Sequence, residues 1–178
     1  NLPETEKKCL NIAMVYNPDE EIGSIYSKEI TDRIGCQADH IFVMESAGKN
    51  GTRHCFARKG SLTYDIEFQG QAAHAGFMFE VENASAVLEM GHYIVELMNL
   101  ADREKDTTVN VGVANGGTAR NVVADHAKIS VEMRFWDDSE RIRLKEYVNK
   151  ITKGQPFVPG VKTTIAMQKE TPPFVKTE

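Results

Sequence analysis

The carboxylates of Asp19-Glu20-Glu21 and Glu45, and the histidine within Gly70-Gln71-Ala72-Ala73-His74-Ala75-Gly76, are the side chains whose types and placement suit chemistry. Neighbouring residues at a strand end point different ways, so Glu20 and Glu21 can do different jobs, one holding a metal ion while the other handles a proton. Glu45, just past the next strand, can meet Glu21 around a cation. Carboxylates suit zinc, which activates water for attack. The plainer reading of Asp-Glu-Glu ahead of Ile22-Gly23-Ser24 is a helix N-terminus, where acids are favoured by the macrodipole. His74 is flanked by alanines and held between two glycines, so little bulk surrounds it and a second group can approach closely. Its plainer reading is a solvent-facing loop histidine.

Two kinds of element must position these groups. Residues 10–16 form an apolar run of strand length ending at Asn17-Pro18, and residues 40–44 form another. Such runs suit strands covered on both faces. Between them a helix is expected over residues 24–33, with Ile22, Tyr26, Ile30 and Ile34 four apart and Gly35 closing it. Strand, helix, strand is the grammar of a parallel α/β sheet, whose functional groups lie at the carboxyl ends of its strands. Glu20, Glu21 and Glu45 all fall there.

From Arg58 the grammar changes. Leu62, Tyr64, Ile66 and Phe68 alternate with Thr63, Asp65, Glu67 and Gln69, as on a half-buried strand, and Gly70 is read as the turn that follows. A helix is expected over residues 84–100 with Asn83 as its N-cap. Its buried stripe is read as Ala84, Val87, Leu88, Gly91, Ile94, Val95 and Met98, with Ser85, Glu89, His92, Glu96 and Asn99 in water. Val109, Val111 and Val113 alternate next, then Gly116-Gly117 turns the chain, and Ile129, Val131, Met133 and Phe135 alternate again. Asp137 with Glu140 three residues on reads as a capping box for a helix carrying Leu144, Tyr147, Val148 and Ile151. A last strand alternates Val161, Thr163, Ile165 and Met167 before the extended link Thr171-Pro172-Pro173. The order strand, helix, strand, strand, helix, strand implies a four-stranded antiparallel sheet with two helices on one face and water on the other. The fold class is therefore α/β with an α+β second part. Residues 1–57 are a fragment of a parallel α/β domain, 58–171 a complete inserted domain, and 172–178 the return to the first.

Composition narrows the function classes. The 178 residues carry a net charge of −5 with no basic cluster, which argues against nucleic acid as a partner. No apolar run is long enough to span a bilayer, so no membrane partner is expected. Cys9, Cys36 and Cys55 lack metal-type spacing and are read as free thiols in or near a core.

Five stretches in order, Asn17-Pro18-Asp19-Glu20-Glu21-Ile22-Gly23-Ser24, Ala38 to Glu45, Arg58-Lys59-Gly60, Gly70 to Gly76, and Gly116-Gly117-Thr118-Ala119-Arg120-Asn121-Val122-Val123, resemble the co-catalytic zinc aminoacylase and carboxypeptidase family. The strand to Arg134 and the Pro172-Pro173-Phe174 exit extend that resemblance over nearly the whole chain. It implies that Glu20 is the general base, that Glu21 and Glu45 are ligands of two different zinc ions, and that residues 58–171 are the lid, or dimerisation, domain. It also implies that His74 crosses a homodimer to stabilise the oxyanion in the other subunit's site. Asn121 and Arg134 match lid groups that bind the substrate's carboxylate end. The family's remaining zinc ligands have no counterpart here, since none of His40, His54, His74, His92 or His126 lies in its His-x-Asp motif. The expectation is thus a fragment that binds zinc weakly and is inactive alone. Its full-length parent would be a zinc metallopeptidase or amidohydrolase acting on a small peptide or N-acyl amino acid. The alternative is a non-catalytic dimerisation module. A cytoplasmic location is expected, with a secreted or periplasmic one left open.

Overall fold

The computed structural model describes residues 11–44 and 57–175. The chain divides into two compact units, Asn1–Arg53 and His54–Glu178.

In the first unit residues 11–16 and 40–44 are not strands, contrary to the expectation from their apolar runs, and Ile12, Met14, Ile41, Phe42 and Met44 lie exposed. A parallel strand completes its backbone hydrogen bonds only against neighbours in a sheet, and neither segment has a strand partner among the described residues. The helix is shorter and later than expected: α1 spans Lys28–Gly35, after a separate 3-10 turn at Glu20–Ile22 that Gly23 closes at φ 90°. Side chains build the intervening bend. Asp19 Oδ2 accepts the N–H groups of Tyr26 (2.7 Å) and Ser27 (3.2 Å), while Asn17 donates to Ser24 Oγ and accepts from Ser27 Oγ, both at 2.8 Å. These local bonds outcompete helix continuation, as short polar side chains do near caps. Cys36 is exposed rather than in a core.

The second unit has six strands, β1 (Gly60–Gln69), β2 (Ala73–His74), β3 (Thr108–Gly116), β4 (Val122–Val123), β5 (His126–Phe135) and β6 (Lys162–Thr171). Its helices are α2 (Ala86–Met98) and α3 (Asp138–Lys153). The main sheet has the order β3-β5-β1-β6 with every neighbour antiparallel. β2 and β4 form a separate two-stranded ribbon. β1 and β5 pair from Gly60↔Phe135 to Gln69↔His126. Their alternate side chains Leu62, Ile66, Phe68, Ile129, Val131, Met133 and Phe135 are buried beneath Tyr93 and Leu97 of α2 and Leu144 and Val148 of α3. Each such side chain contributes roughly 1.5–3 kcal/mol by leaving water. Tyr93 sets its ring edge-on to Phe68 at 4.9 Å and donates its hydroxyl to the Ile151 carbonyl at 2.9 Å, which links both helices to the sheet. The opposite face is polar, with Ser130 donating to Asp65 at 2.6 Å and Lys128 pairing with Asp65 and Glu67.

Three details differ from the sequence reading. α2 is capped by Ser85, whose side chain accepts from Leu88 N, while Asn83 instead donates to the Met78 and Val81 carbonyls. Its buried face is Ala86, Glu89, Tyr93 and Leu97; of the expected stripe Ala84 is buried and Ile94 packs against the core, while Val87, Leu88, Val95 and Met98 are exposed. Tyr93 fills more core than Gly91 can, and Glu89 is satisfied inside by accepting the N–H groups of Phe157 (3.2 Å) and Val158 (2.6 Å), so burying it costs little. In β3, Val111 faces Val131 but Val113 faces Ser130, so Gly112 is an extra residue and Val113 turns to the polar face. No helix among the described residues is long and apolar enough to cross a membrane.

Candidate functional site

His74 stands on the β2/β4 ribbon, and the ribbon is tied to the domain at four points. Gly70 N donates to the Asp125 carbonyl at 2.8 Å, and Gln71 and Ala84 exchange backbone hydrogen bonds at 2.9 and 3.0 Å. Ala73 and His74 pair with Val123 and Val122, and Ala75 N donates to the Asn121 carbonyl at 2.9 Å. Gly70 is needed for close approach and not for a left-handed turn: a Cβ there would lie 2.0 Å from the Ala84 carbonyl oxygen. The chain that precedes α2 is thereby locked against the histidine loop.

The imidazole is exposed. Its Nδ1 accepts the Gly76 N–H at 3.1 Å. A neutral ring that accepts at Nδ1 carries its proton on Nε2, which can then donate. The Phe77 ring packs against it, its centre 5.4 Å from the imidazole centre and tilted by 47°. Asn121 adjoins this site through its backbone, and it and Arg120 are both exposed. Between the ribbon and the start of α2 runs a mostly apolar groove of about 480 Å³, lined by Met78, Val87, Leu88, Val122 and Val123 with Arg120 as its cation.

Arg134 is not brought to this place. It pairs with Ser61 and Thr108 at the far end of the sheet, eight residues along β5 from His126, or roughly 26 Å at ~3.3 Å per residue. There its guanidinium donates to Glu132 at 2.6 Å, and that carboxylate holds its pKa above the ordinary value.

In the first unit Glu20 and Glu21 are exposed in the 3-10 turn, and Glu45 lies outside the described residues. Asp19 beside them is 9% exposed; the hydroxyl of Ser27 and the N–H of Tyr26 hold its carboxyl below the usual range, and its Oδ1 has no hydrogen-bond partner. Among the described residues no group of three or more His, Cys, Asp and Glu side chains is placed to hold a metal ion. Zinc centres take about four donors. The described residues therefore do not make such a centre by themselves, and Glu21 with the free oxygen of Asp19 would supply only part of one.

Two features escaped the sequence. Phe77 follows an Ala-Gly pair that reads as plain loop, and only its ring contact with His74 marks it. The ribbon itself is two residues per strand, too short for any alternation to announce it.

Residues 56–156 match the family model described as a peptidase dimerisation domain. The chain is 24% identical over 124 residues to carboxypeptidase G2 of Pseudomonas sp. (strain RS-16), covering 70% of this chain and 30% of that protein. It is 30% identical over 175 residues to a probable carboxypeptidase of Aspergillus clavatus, covering 87% of this chain and 41% of the relative. Among solved structures it matches the aminobenzoyl-glutamate utilization protein of Klebsiella pneumoniae with a TM-score of 0.59 and 25% identity, over 67% of this chain and 30% of that one. The chain thus spans about 30–41% of the length of these proteins.

Proposed function

This chain belongs to the peptidase M20 dimerisation-domain family, and from that premise we propose that it is the self-associating lid of a zinc-dependent hydrolase that cleaves an amide bond next to a free carboxylate. The observation that carries this reading is the exposed imidazole of His74, carried on a paired ribbon and held by the hydrogen bond that its Nδ1 accepts from Gly76 N–H, which leaves Nε2 free to serve as the donor. Such a donor suits a carbonyl oxygen as it gains charge in acyl transfer, where a positioned hydrogen bond is worth most. Asn121 adds an amide beside it that can bind the carboxylate-bearing half of the substrate. In the longer protein Glu20 takes the proton of the attacking water, and Glu21 and Glu45 contribute to two zinc sites completed by ligands from outside this chain. Zinc supplies Lewis acidity toward water and carbonyl. Small peptides and N-acyl amino acids are the substrate class in this reading, which the likeness to a protein named carboxypeptidase G2 supports.

The partner is a second copy. The exposed Leu88, Val95 and Met98 of α2, with the half-buried Gly91 among them, lie beside β3, whose outer edge is unpaired among the described residues. A Cβ at Gly91 would meet nothing within 4 Å, so another helix can approach there closely. An apolar stripe next to a free edge strand is what a two-fold interface covers. Arg134 lies at the end of β1 and β5 opposite the one where the His74 ribbon is tied, so we assign the two to different sites of the dimer.

The test uses the longer protein supplied with zinc and a panel of N-acyl amino acids and dipeptides. Release of free amino acid, lost in Glu20→Gln, is the expected result. A protein that forms dimers and releases nothing from the whole panel would instead be the non-catalytic module.

A further inference from the structure

We propose that Phe77 selects the acyl half of the substrate, and that this half carries a bulky apolar or aromatic group. The inference rests on the proposal that His74 donates to the scissile carbonyl. A carbonyl oxygen that accepts from Nε2 sits about 3 Å from it. The Phe77 ring is centred 5.4 Å from the imidazole centre and tilted 47° to it, so a group attached to that carbonyl lies within reach of the ring. With Asn121 and Arg134 assigned to the carboxylate-bearing half, the acyl half is the one left for Phe77.

The backbone that carries the ring is fixed, and the ring itself is open to water. Its own carbonyl accepts the N–H groups of Glu80 (2.9 Å) and Val81 (3.2 Å), and Asn83 closes the loop by donating to the Met78 and Val81 carbonyls. Yet 55% of Phe77 is exposed, and Phe79 two residues on is 96% exposed. A loop this heavily bonded has no folding reason to hold aromatic surface in water. A bulky apolar acyl group would cover the ring, whereas a small one would leave it wet. Differences of one or two carbons in such a contact change kcat/KM by about 10- to 200-fold.

The experiment compares the longer protein with its Phe77→Ala and Phe77→Leu variants on a panel in which each amino acid carries either an acetyl or a benzoyl group. The wild type should prefer the benzoyl series. Phe77→Ala should lower kcat/KM for benzoyl substrates about tenfold or more, mostly through KM, and change the acetyl series by less than about twofold; Phe77→Leu should recover most of the loss. Equal loss on both series would show that Phe77 only positions His74, and no change on either would show that it does not meet substrate; each overturns the inference and leaves the hydrolase reading standing. A wild type that cleaves neither series while the Glu20→Gln control is equally silent overturns the hydrolase reading and this inference with it.

Discussion

Glu140 shows how much a single buried charge can decide in a domain of this size. It is almost fully buried, and its carboxylate accepts from Arg143 (2.6 Å), Lys105 (2.6 Å) and Thr107 (2.9 Å). Chiefly the Arg143 guanidinium holds its pKa down from 4.5 to about 2. A carboxyl depressed in the folded state stabilises above its unfolded value, and that stabilisation disappears as pH falls from about 4.5 to about 2. The expected loss is on the order of 3 kcal/mol, which urea unfolding at a series of pH values would measure. Glu140→Gln should be less stable at pH 7 and should flatten that acid limb; an unchanged slope would show that other carboxylates govern it. The sequence marked Glu140 only as the back-reaching member of a capping box. The structure keeps half of that device, with Asp137 accepting Glu140 N at 3.0 Å, and turns the carboxylate inward instead. Glu89 was misplaced for the same reason: one-dimensional patterning puts a charge in water unless its buried partners, here two N–H groups some 68 residues away, are known. The tight loop that carries His74 was legible from its two glycines, although Gly70 serves a close approach to Ala84 and not a turn. Gly70→Ala, which would set a Cβ 2.0 Å from the Ala84 carbonyl, should destabilise the domain by about 1–3 kcal/mol and raise amide exchange at Gln71 and Ala84 most.

At the scale of elements, order and type in the second unit were readable from period-two strands and capped helices, because each main strand has one wet face. The face of α2 was not. Apolar residues occupy two stripes of that helix, and periodicity alone cannot say which meets the sheet when the other meets something else. An interface helix produces this ambiguity. The double variant Leu88→Glu with Val95→Glu tests it: both sites are more than half exposed, at 55% and 59%, so the fold should persist by circular dichroism while light scattering reports a monomer. A dimer that survives both charges would place the interface elsewhere. The bulge at Gly112 escaped for a simpler reason, since one added residue shifts parity without changing composition. In the first unit the apolar runs at 11–16 and 40–44 show the converse: residues suited to a buried strand are not strands where no neighbour among the described residues takes their hydrogen bonds.

For the whole molecule, the proposal makes each active site a joint product of two chains. If His74 serves the partner's site, Glu20 and His74 of one subunit never act together. Glu20→Gln should abolish hydrolysis, because no base remains for the attacking water. His74→Ala should lower kcat more than it raises KM, because an oxyanion donor acts mainly in the transition state. Mixing the two variants under conditions of subunit exchange should then restore activity. A mixed dimer contains one site with both groups intact, formed by Glu20 of the His74→Ala subunit and His74 of the Glu20→Gln subunit. Random pairing makes half the dimers mixed and each has one of two sites working, so recovery should approach roughly a quarter of the wild-type rate. Arg134 sharpens the test. It lies at the end of β1 and β5 opposite the one tied to the His74 ribbon. Arg134→Ala should complement one of the two variants and not the other: His74→Ala if Arg134 works in the site of its own chain's Glu20, Glu20→Gln if it works in the partner's. Recovery in the second pairing would assign Arg134 to the partner's site, and no recovery in either, with exchange confirmed by mass, would mean that His74 works within its own subunit.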